Sequence, residues 1–337
     1  MQDGRKGTQL EETAKRRVCH SRLQRDPTWL LPFLRSCLPH SSLRVSSSLL
    51  PLLPLREAFL AFMPPRIAEV TCKSALSKSG ISDYAVNCYR GCSHACIYCY
   101  ARFMARFTGH EAEPWGSFVD AKVNAPDVLP GDLDRAKPGR VMLSSVCDGW
   151  QPVEDRYRLT RRCLETLVRF GFPVGILTKG GLVRRDIEVM RGADVELGVT
   201  LATVDDDVRR ILEPEASPVA ERLDALRRAR EAGLSTYVFA GPIFPFLGDG
   251  AREVDALFKA IAGAKVDYVL VDTLNPKRGL WPVLREALTR HAPHVVRKVG
   301  EILYEPEARD HYVSNVRRLV LATAERHGLA SRIRLCF

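Results

Sequence analysis

From about residue 80 onward, short apolar runs alternate with stretches whose apolar residues recur at helical spacing. Tyr84–Cys88, Val141–Ser145, Val174–Thr178, Glu196–Leu201, Thr236–Ala240 and Tyr268–Asp272 are predicted as strands. Most are continuous apolar blocks bounded by Gly, Pro or charge, which is how parallel strands covered on both faces read. Between them, residues 156–170 put Leu159, Cys163, Leu167 and Phe170 on one helical face. Residues 218–232 do the same with Leu223, Leu226 and Ala229, and Gly233 follows as a C-terminal cap. Further helices are predicted at 251–262, 281–290 and 310–327.

Repeated β-α units fit a parallel barrel or an open doubly wound sheet. Barrel chemistry gathers at the C-terminal ends of strands. Asp148, Lys179, Thr200, Pro242 and Asn275 stand at those ends in strands two to six. The expectation is therefore a partial (β/α)6 TIM-like barrel. Its core runs over about 80–290, within a catalytic domain over 63–337 that ends in a helical extension at about 291–337.

Residues 1–62 break the pattern. They carry ten Lys and Arg against five acids, half of the net charge of +10, and have no sustained period. Three readings stand: a disordered basic arm, a targeting peptide without a clean apolar segment, or a leader outside the native protein, with translation starting at Met63. The third is preferred. The longest apolar run, Leu49–Phe62, is interrupted by Pro51, Pro54, Arg56 and Glu57, so no membrane span is expected. Four of the ten cysteines fall between positions 88 and 99, the spacing of a metal or cluster site rather than a disulfide framework. Such thiolates need a reducing compartment, so the expected location is the cytoplasm.

Cys92, Cys96 and Cys99 form a C-x3-C-x2-C array. A cubane iron–sulfur cluster is normally held by four thiolates. Three on one loop cap three irons and leave the fourth open to a non-protein ligand. The amino and carboxylate groups of S-adenosylmethionine fit that position. One electron from a [4Fe-4S] cluster then breaks a carbon–sulfur bond and gives a 5′-deoxyadenosyl radical. The competing reading is structural zinc, with Cys88 or His94 as a fourth ligand. Cys88 reads instead as a half-buried thiol at the strand end, because a fourth ligand would close the open iron.

The array resembles that of the radical S-adenosylmethionine superfamily, and the longer pattern is similar to its spore photoproduct lyase-like family. The matching stretches are Cys72-Lys73-Ser74, Ser77-Lys78-Ser79-Gly80, the cysteine loop, Asp148 to Glu154, Leu159-Thr160-Arg161, Thr178-Lys179, Arg185-Asp186, Glu213-Pro214 and Arg222-Leu223. The resemblance implies that Cys92, Cys96 and Cys99 bind the cluster. It also implies that Tyr98, Cys147, Asp148, Lys179, Thr200 and Ala240 contact S-adenosylmethionine. It further implies an electron donor of flavodoxin or ferredoxin type. DNA is one substrate it suggests; a small metabolite or peptide is the alternative, and a zinc-stabilised nucleic-acid-binding protein without catalysis a third reading. The family's hydrogen-donating cysteine near the tip of strand two falls here on Ser145. Cys147, two residues later, would share its face if the strand continued. Trp150 replaces the family's tyrosine, and Cys88 its proline.

Other features admit plainer readings. Lys179 could be a salt-bridged lysine, Thr200 a buried hydroxyl and Asp148 a turn cap. Arg161-Arg162, Arg184-Arg185, Arg209-Arg210 and Arg227-Arg228 suggest a phosphate-binding surface or, as commonly, solvated helix faces. Trp115, Trp150, Trp281, Phe244 and Phe246 could stack a base or fill the core. No phosphate-loop or nucleophile-elbow motif occurs, which argues against nucleotide hydrolysis and the usual serine hydrolases.

Overall fold

The computed structural model describes residues 64–277 and 279–337. The readings of residues 1–62 and of a start at Met63 lie outside them. The strands are β1 (Arg66–Val70), β2 (Leu76–Lys78), β3 (Tyr84–Val86), β4 (Tyr89–Arg90), β5 (Phe118–Lys122), β6 (Val141–Leu143), β7 (Val174–Thr178), β8 (Val195–Leu201), β9 (Ser235–Ile243), β10 (Tyr268–Thr273) and β11 (Ile333–Leu335). The helices are α1 (Ala125–Arg135), α2 (Glu154–Tyr157), α3 (Leu159–Arg169), α4 (Ile187–Met190), α5 (Asp206–Leu212), α6 (Val219–Glu231), α7 (Ala251–Ala264), α8 (Trp281–His291), α9 (Val296–Tyr304) and α10 (Pro306–Arg326).

One sheet runs β11-β10-β9-β8-β7-β6-β3-β2. All its pairings are parallel except β2 with β3. The six expected strands are neighbours in sequence order. A doubly wound sheet reverses its order at a switch point, and this one does not. Sequential right-handed crossovers keep the helices on one side, so the sheet curls as a partial barrel. It does not close; β2 and β11 are its edges. The outward residues Val199, Leu201, Val238 and Ala240 form one core with Leu226 of α6, Phe258 of α7 and Val316 and Val320 of α10. Glu196, Gly198 and Thr200 alternate to the inner face. There Gly198 leaves room for Tyr237, whose ring would lie 2.2 Å from an added Cβ.

Three expectations need correction. The helix predicted over 156–170 is broken at Arg158, which takes a left-handed φ of +52°. The Glu154 carboxylate reaches across that break and accepts the Thr160 and Arg161 amides at 3.0 Å, capping α3 from the preceding helix. The C-terminal extension is not wholly helical, since β11 adds a strand beside β10. A separate sheet, β1-β5-β4, had no period strong enough to be read from sequence. It lies on either side of the cysteine loop in the chain, with β4 leading into Cys92 and β5 following.

Candidate functional site

The loop after β4 begins at Gly91, with φ +79°. A Cβ there would lie 2.4 Å from the Phe118 carbonyl, so glycine alone lets the loop turn against β5. Cys92 and Cys96 are buried and Cys99 nearly so, and all three thiols are free. Burial pushes Cys96 up to about 12 and raises Cys92 and Cys99 as well. Thiols in such a place stay protonated until a cation displaces the proton, as metal binding does. Among the described residues, no three His, Cys, Asp or Glu side chains converge on one metal ion.

Two carboxylates grip this loop. Asp148 takes the Trp150 amide at 3.0 Å and the Thr178 hydroxyl at 2.6 Å on Oδ1. Its Oδ2 takes the Lys179 amide at 2.7 Å, and His94 of the loop stands 3.4 Å away. Burial pushes this carboxyl up, but His94, the Lys179 amide and the Thr178 hydroxyl outweigh it and hold it below the usual carboxylate range. Glu213 accepts the Tyr98 hydroxyl on Oε1 and faces Arg222 at 2.6 Å through Oε2. That second contact is an ion pair too poorly aligned to be a hydrogen bond. Gln151 adds a third hold by accepting the Ser93 amide at 2.8 Å.

Lys179 ends β7 beside the cysteines. Its Nζ lies 5.6 Å from the centre of the Tyr98 ring. Among the described residues it has no hydrogen bond or ion pair, so the salt-bridged reading fails. Burial opposes its charge, but Cys96, Glu213, Asp148 and Cys99 outweigh that and raise its pKa. An ammonium free of partners beside three buried thiols is ready to meet an anion. Thr200 is buried on the inner face of β8.

The remaining sequence-derived contacts sit differently. Asp148 spends both oxygens on four protein groups, about all that a carboxylate can accept, so it anchors the loop rather than touching a cofactor. Ala240 points outward into the helix-covered core; the inner residues of β9 are Tyr237, Phe239 and Gly241. Cys147 directs its Sγ to Asn87 Oδ1 at 3.7 Å. β6 ends at Leu143 and Ser144 has φ +70°, so strand alternation does not carry from Ser145 to Cys147. Cys88 is wholly buried, not half-buried, with its Sγ 3.5 Å from that of Cys163.

The other motif residues form an internal scaffold. Trp150 is buried and donates Nε1 to Asp186 at 2.8 Å. Arg161 and Arg185 both pair with Asp186, and Arg185 also pairs with Glu154. The arginine pairs do not make a phosphate surface. Arg162 meets Asp127, Arg184 meets Glu221 and Asp224, Arg209 meets Asp206, Arg210 meets Asp207, and Arg227 and Arg228 share Asp224. Phe244 is core, whereas Phe246 is exposed. The sequence reading missed the bond from Tyr98 to Glu213 and the contact of His94 with Asp148. The partners lie 115 and 54 positions apart, and only their presence in motifs marked them.

The sequence profile of the Radical SAM superfamily matches residues 86–272. An uncharacterized protein of Mycobacterium tuberculosis is 34% identical over 246 residues, covering 69% of this chain and 72% of its own. Another, from Methanocaldococcus jannaschii, is 33% identical over 186 residues, covering 54% and 70%. Among solved structures the chain is similar to a spore photoproduct lyase mutant with bound AdoMet and dinucleoside spore photoproduct, with a TM-score of 0.60 and 15% identity over 80% of this chain and 82% of that one. At that identity the likeness speaks to the fold. No helix among the described residues is long and apolar enough to cross a membrane.

Proposed function

The chain belongs to the radical SAM superfamily, whose enzymes use S-adenosylmethionine and an iron–sulfur cluster in radical chemistry, and we propose that Cys92, Cys96 and Cys99 hold a [4Fe-4S] cluster here. The observation that carries this reading is the set of three free thiols on one loop, two buried and one partly so, with the unpartnered ammonium of Lys179 near Cys96 and Cys99. When bound, the cluster and S-adenosylmethionine supply the one-electron chemistry that abstracts hydrogen from a substrate. The residues supply position and dryness. Lys179, the buried ammonium near Cys96 and Cys99, would hold the carboxylate of the methionyl group. Thr200 lines the inner wall at the end of β8, and Tyr98 holds the backbone before Cys99. Cys147, turned toward Asn87 with its thiol raised to about 12 by burial, would need to swing away from that contact to serve as a hydrogen donor. A protein of flavodoxin or ferredoxin type supplies the electron.

For the substrate, the fold shared with spore photoproduct lyase supports a nucleic-acid lesion first. A small metabolite or peptide is the second reading. It is favoured by the ion-paired arginines, which leave those helix faces without free charge for phosphates. Anaerobic reconstitution with iron and sulfide tests the cofactor reading. About four irons and four sulfides per chain, with an electron paramagnetic resonance signal that appears on dithionite reduction and changes on adding S-adenosylmethionine, are expected for such a cluster. Zinc without iron would contradict it. Salt-dependent binding to irradiated DNA would support the lesion reading, and its absence would favour the small substrate.

A further inference from the structure

The turn from Leu212 to Pro218 touches both the cysteine loop and the end of β7. Ile97 donates its amide to the Leu212 carbonyl at 3.0 Å, and the Glu215 amide donates to the His94 carbonyl at 3.2 Å. Both contacts lie on the cysteine loop. Ser217 donates its amide to the Lys179 carbonyl at 3.2 Å and accepts the Gly181 amide on its hydroxyl at 2.8 Å. Arg209 fixes the turn itself by donating Nη1 to the carbonyls of Glu213, Pro214 and Ala216 at 3.1, 3.3 and 2.9 Å.

At the centre is an ion pair with almost no solvent contact. The Glu213 and Arg222 side chains are each 1% exposed. A buried pair of this kind often contributes little net stability compared with apolar residues, and it is better suited to fixing one geometry. Its connections fit that use. Glu213 takes the Tyr98 hydroxyl, one residue before Cys99. Arg222 donates Nε to the Ser217 carbonyl at 2.8 Å and Nη1 to the Thr200 carbonyl at 3.0 Å. The chain of contacts runs from the cysteine loop through Glu213 and Arg222 to the end of β8, and through Ser217 to the end of β7.

We infer that Glu213 and Arg222 are positioning residues for S-adenosylmethionine. Their ion pair sets the spacing between the cluster loop and the ledge formed by Lys179 and Thr200, without either side chain touching the cofactor. The inference rests on the cofactor reading above. Iron can be held by the three cysteines alone, so loosening the pair spares cluster assembly and disturbs the joint site where cluster and ledge meet the same molecule.

Glu213→Gln keeps the shape and removes the charge, and Tyr98→Phe removes only the hydroxyl link to the loop. Arg140→Gln is the control; it breaks the 2.6 Å pair with Glu196 at the opposite ends of the strands. Each reconstituted full-length protein is assayed for iron and sulfide per chain, for S-adenosylmethionine affinity, and, after dithionite reduction, for the change in its paramagnetic signal on adding S-adenosylmethionine. Glu213→Gln and Tyr98→Phe are expected to keep wild-type iron, bind S-adenosylmethionine roughly ten-fold more weakly, the loss of one hydrogen bond to a charged group, and show an altered signal. Arg140→Gln is expected to match wild type in all three. Wild-type affinity and signal in Tyr98→Phe and in any folded Glu213→Gln would overturn the inference while leaving the cofactor reading intact. A wild-type protein that takes up no iron would overturn both.

Discussion

Replacing Asp148 with Asn tests whether this carboxylate is the anchor of the cysteine loop. The change is nearly isosteric but converts one acceptor oxygen into a donating amide. Each oxygen now faces two groups: Oδ1 the Trp150 amide and Thr178 hydroxyl, Oδ2 the Lys179 amide and His94. With either orientation of the Asn side chain, the NH2 meets a backbone N–H head on. The Thr178 hydroxyl can rotate to adapt, but the Trp150 and Lys179 amides cannot. Hydrogen bonds to charged groups contribute about 1.5–3 kcal/mol each, and an unsatisfied buried donor costs about 1–3 kcal/mol. Losing the charge from one bond and the whole of another therefore predicts a loss of about 3–5 kcal/mol. That is a large share of the 5–15 kcal/mol, roughly, that holds a domain folded. Urea unfolding of the metal-free protein, followed by tryptophan fluorescence, measures it directly because Trp150 lies in the network. A shift below about 1 kcal/mol, with unchanged denaturant dependence, would refute the anchoring argument.

Three other perturbations separate the parts of the account. Gly91→Ala should destabilise by about 1–2 kcal/mol from the left-handed backbone and about 1–3 kcal/mol from the clash with Phe118, seen as a lower melting temperature and reduced iron uptake; an unchanged melting temperature would contradict it. His110 sits between Asp120 at 3.0 Å and Glu113 at 2.6 Å; burial opposes its charge, but the two carboxylates raise its pKa above the ordinary value. A raised folded value means that the stability from protonated His110 is fully present below about pH 6.5 and fades as pH rises through the folded value; His110→Gln should flatten that decline, and a profile parallel to wild type would argue against it. Cys92→Ala, Cys96→Ala and Cys99→Ala should each lose the cluster in an iron assay, while Cys163→Ala keeps it; a cluster that survives loss of Cys96 would overturn the ligand assignment.

The barrel strands were legible because each is a continuous apolar block, and a strand buried on both faces cannot look otherwise. β1, β4 and β11 are short or carry exposed positions, and β5 is interrupted by the buried Asp120, so their pairing depends on partners that no local period announces. The cysteine loop was legible because three cysteines fall within eight residues. The supports of that loop were not. Glu213 reaches Tyr98 across 115 positions, Asp148 reaches Lys179 across 31 and Arg222 reaches Thr200 across 22, and a carboxylate that anchors a loop has the same letter as one that binds a ligand. Asp148 was read as a cofactor contact for that reason. Ala240 was read so from the resemblance; alternation fixes which residues share a face but not which face is inward, and only the packing against α7 and α10 decides it. The arginine pairs were open to two readings, a phosphate surface or solvated helix faces, and their acidic partners on neighbouring turns and helices fit the second.

The central claim is that the three cysteines support reductive cleavage of S-adenosylmethionine. It is tested most directly by reducing the anaerobically reconstituted protein with dithionite in the presence of S-adenosylmethionine and measuring 5′-deoxyadenosine. The account predicts its formation by the wild type and none by Cys96→Ala carried through the same treatment. A colourless protein that retains zinc and forms no 5′-deoxyadenosine, or equal formation by wild type and Cys96→Ala, would contradict it.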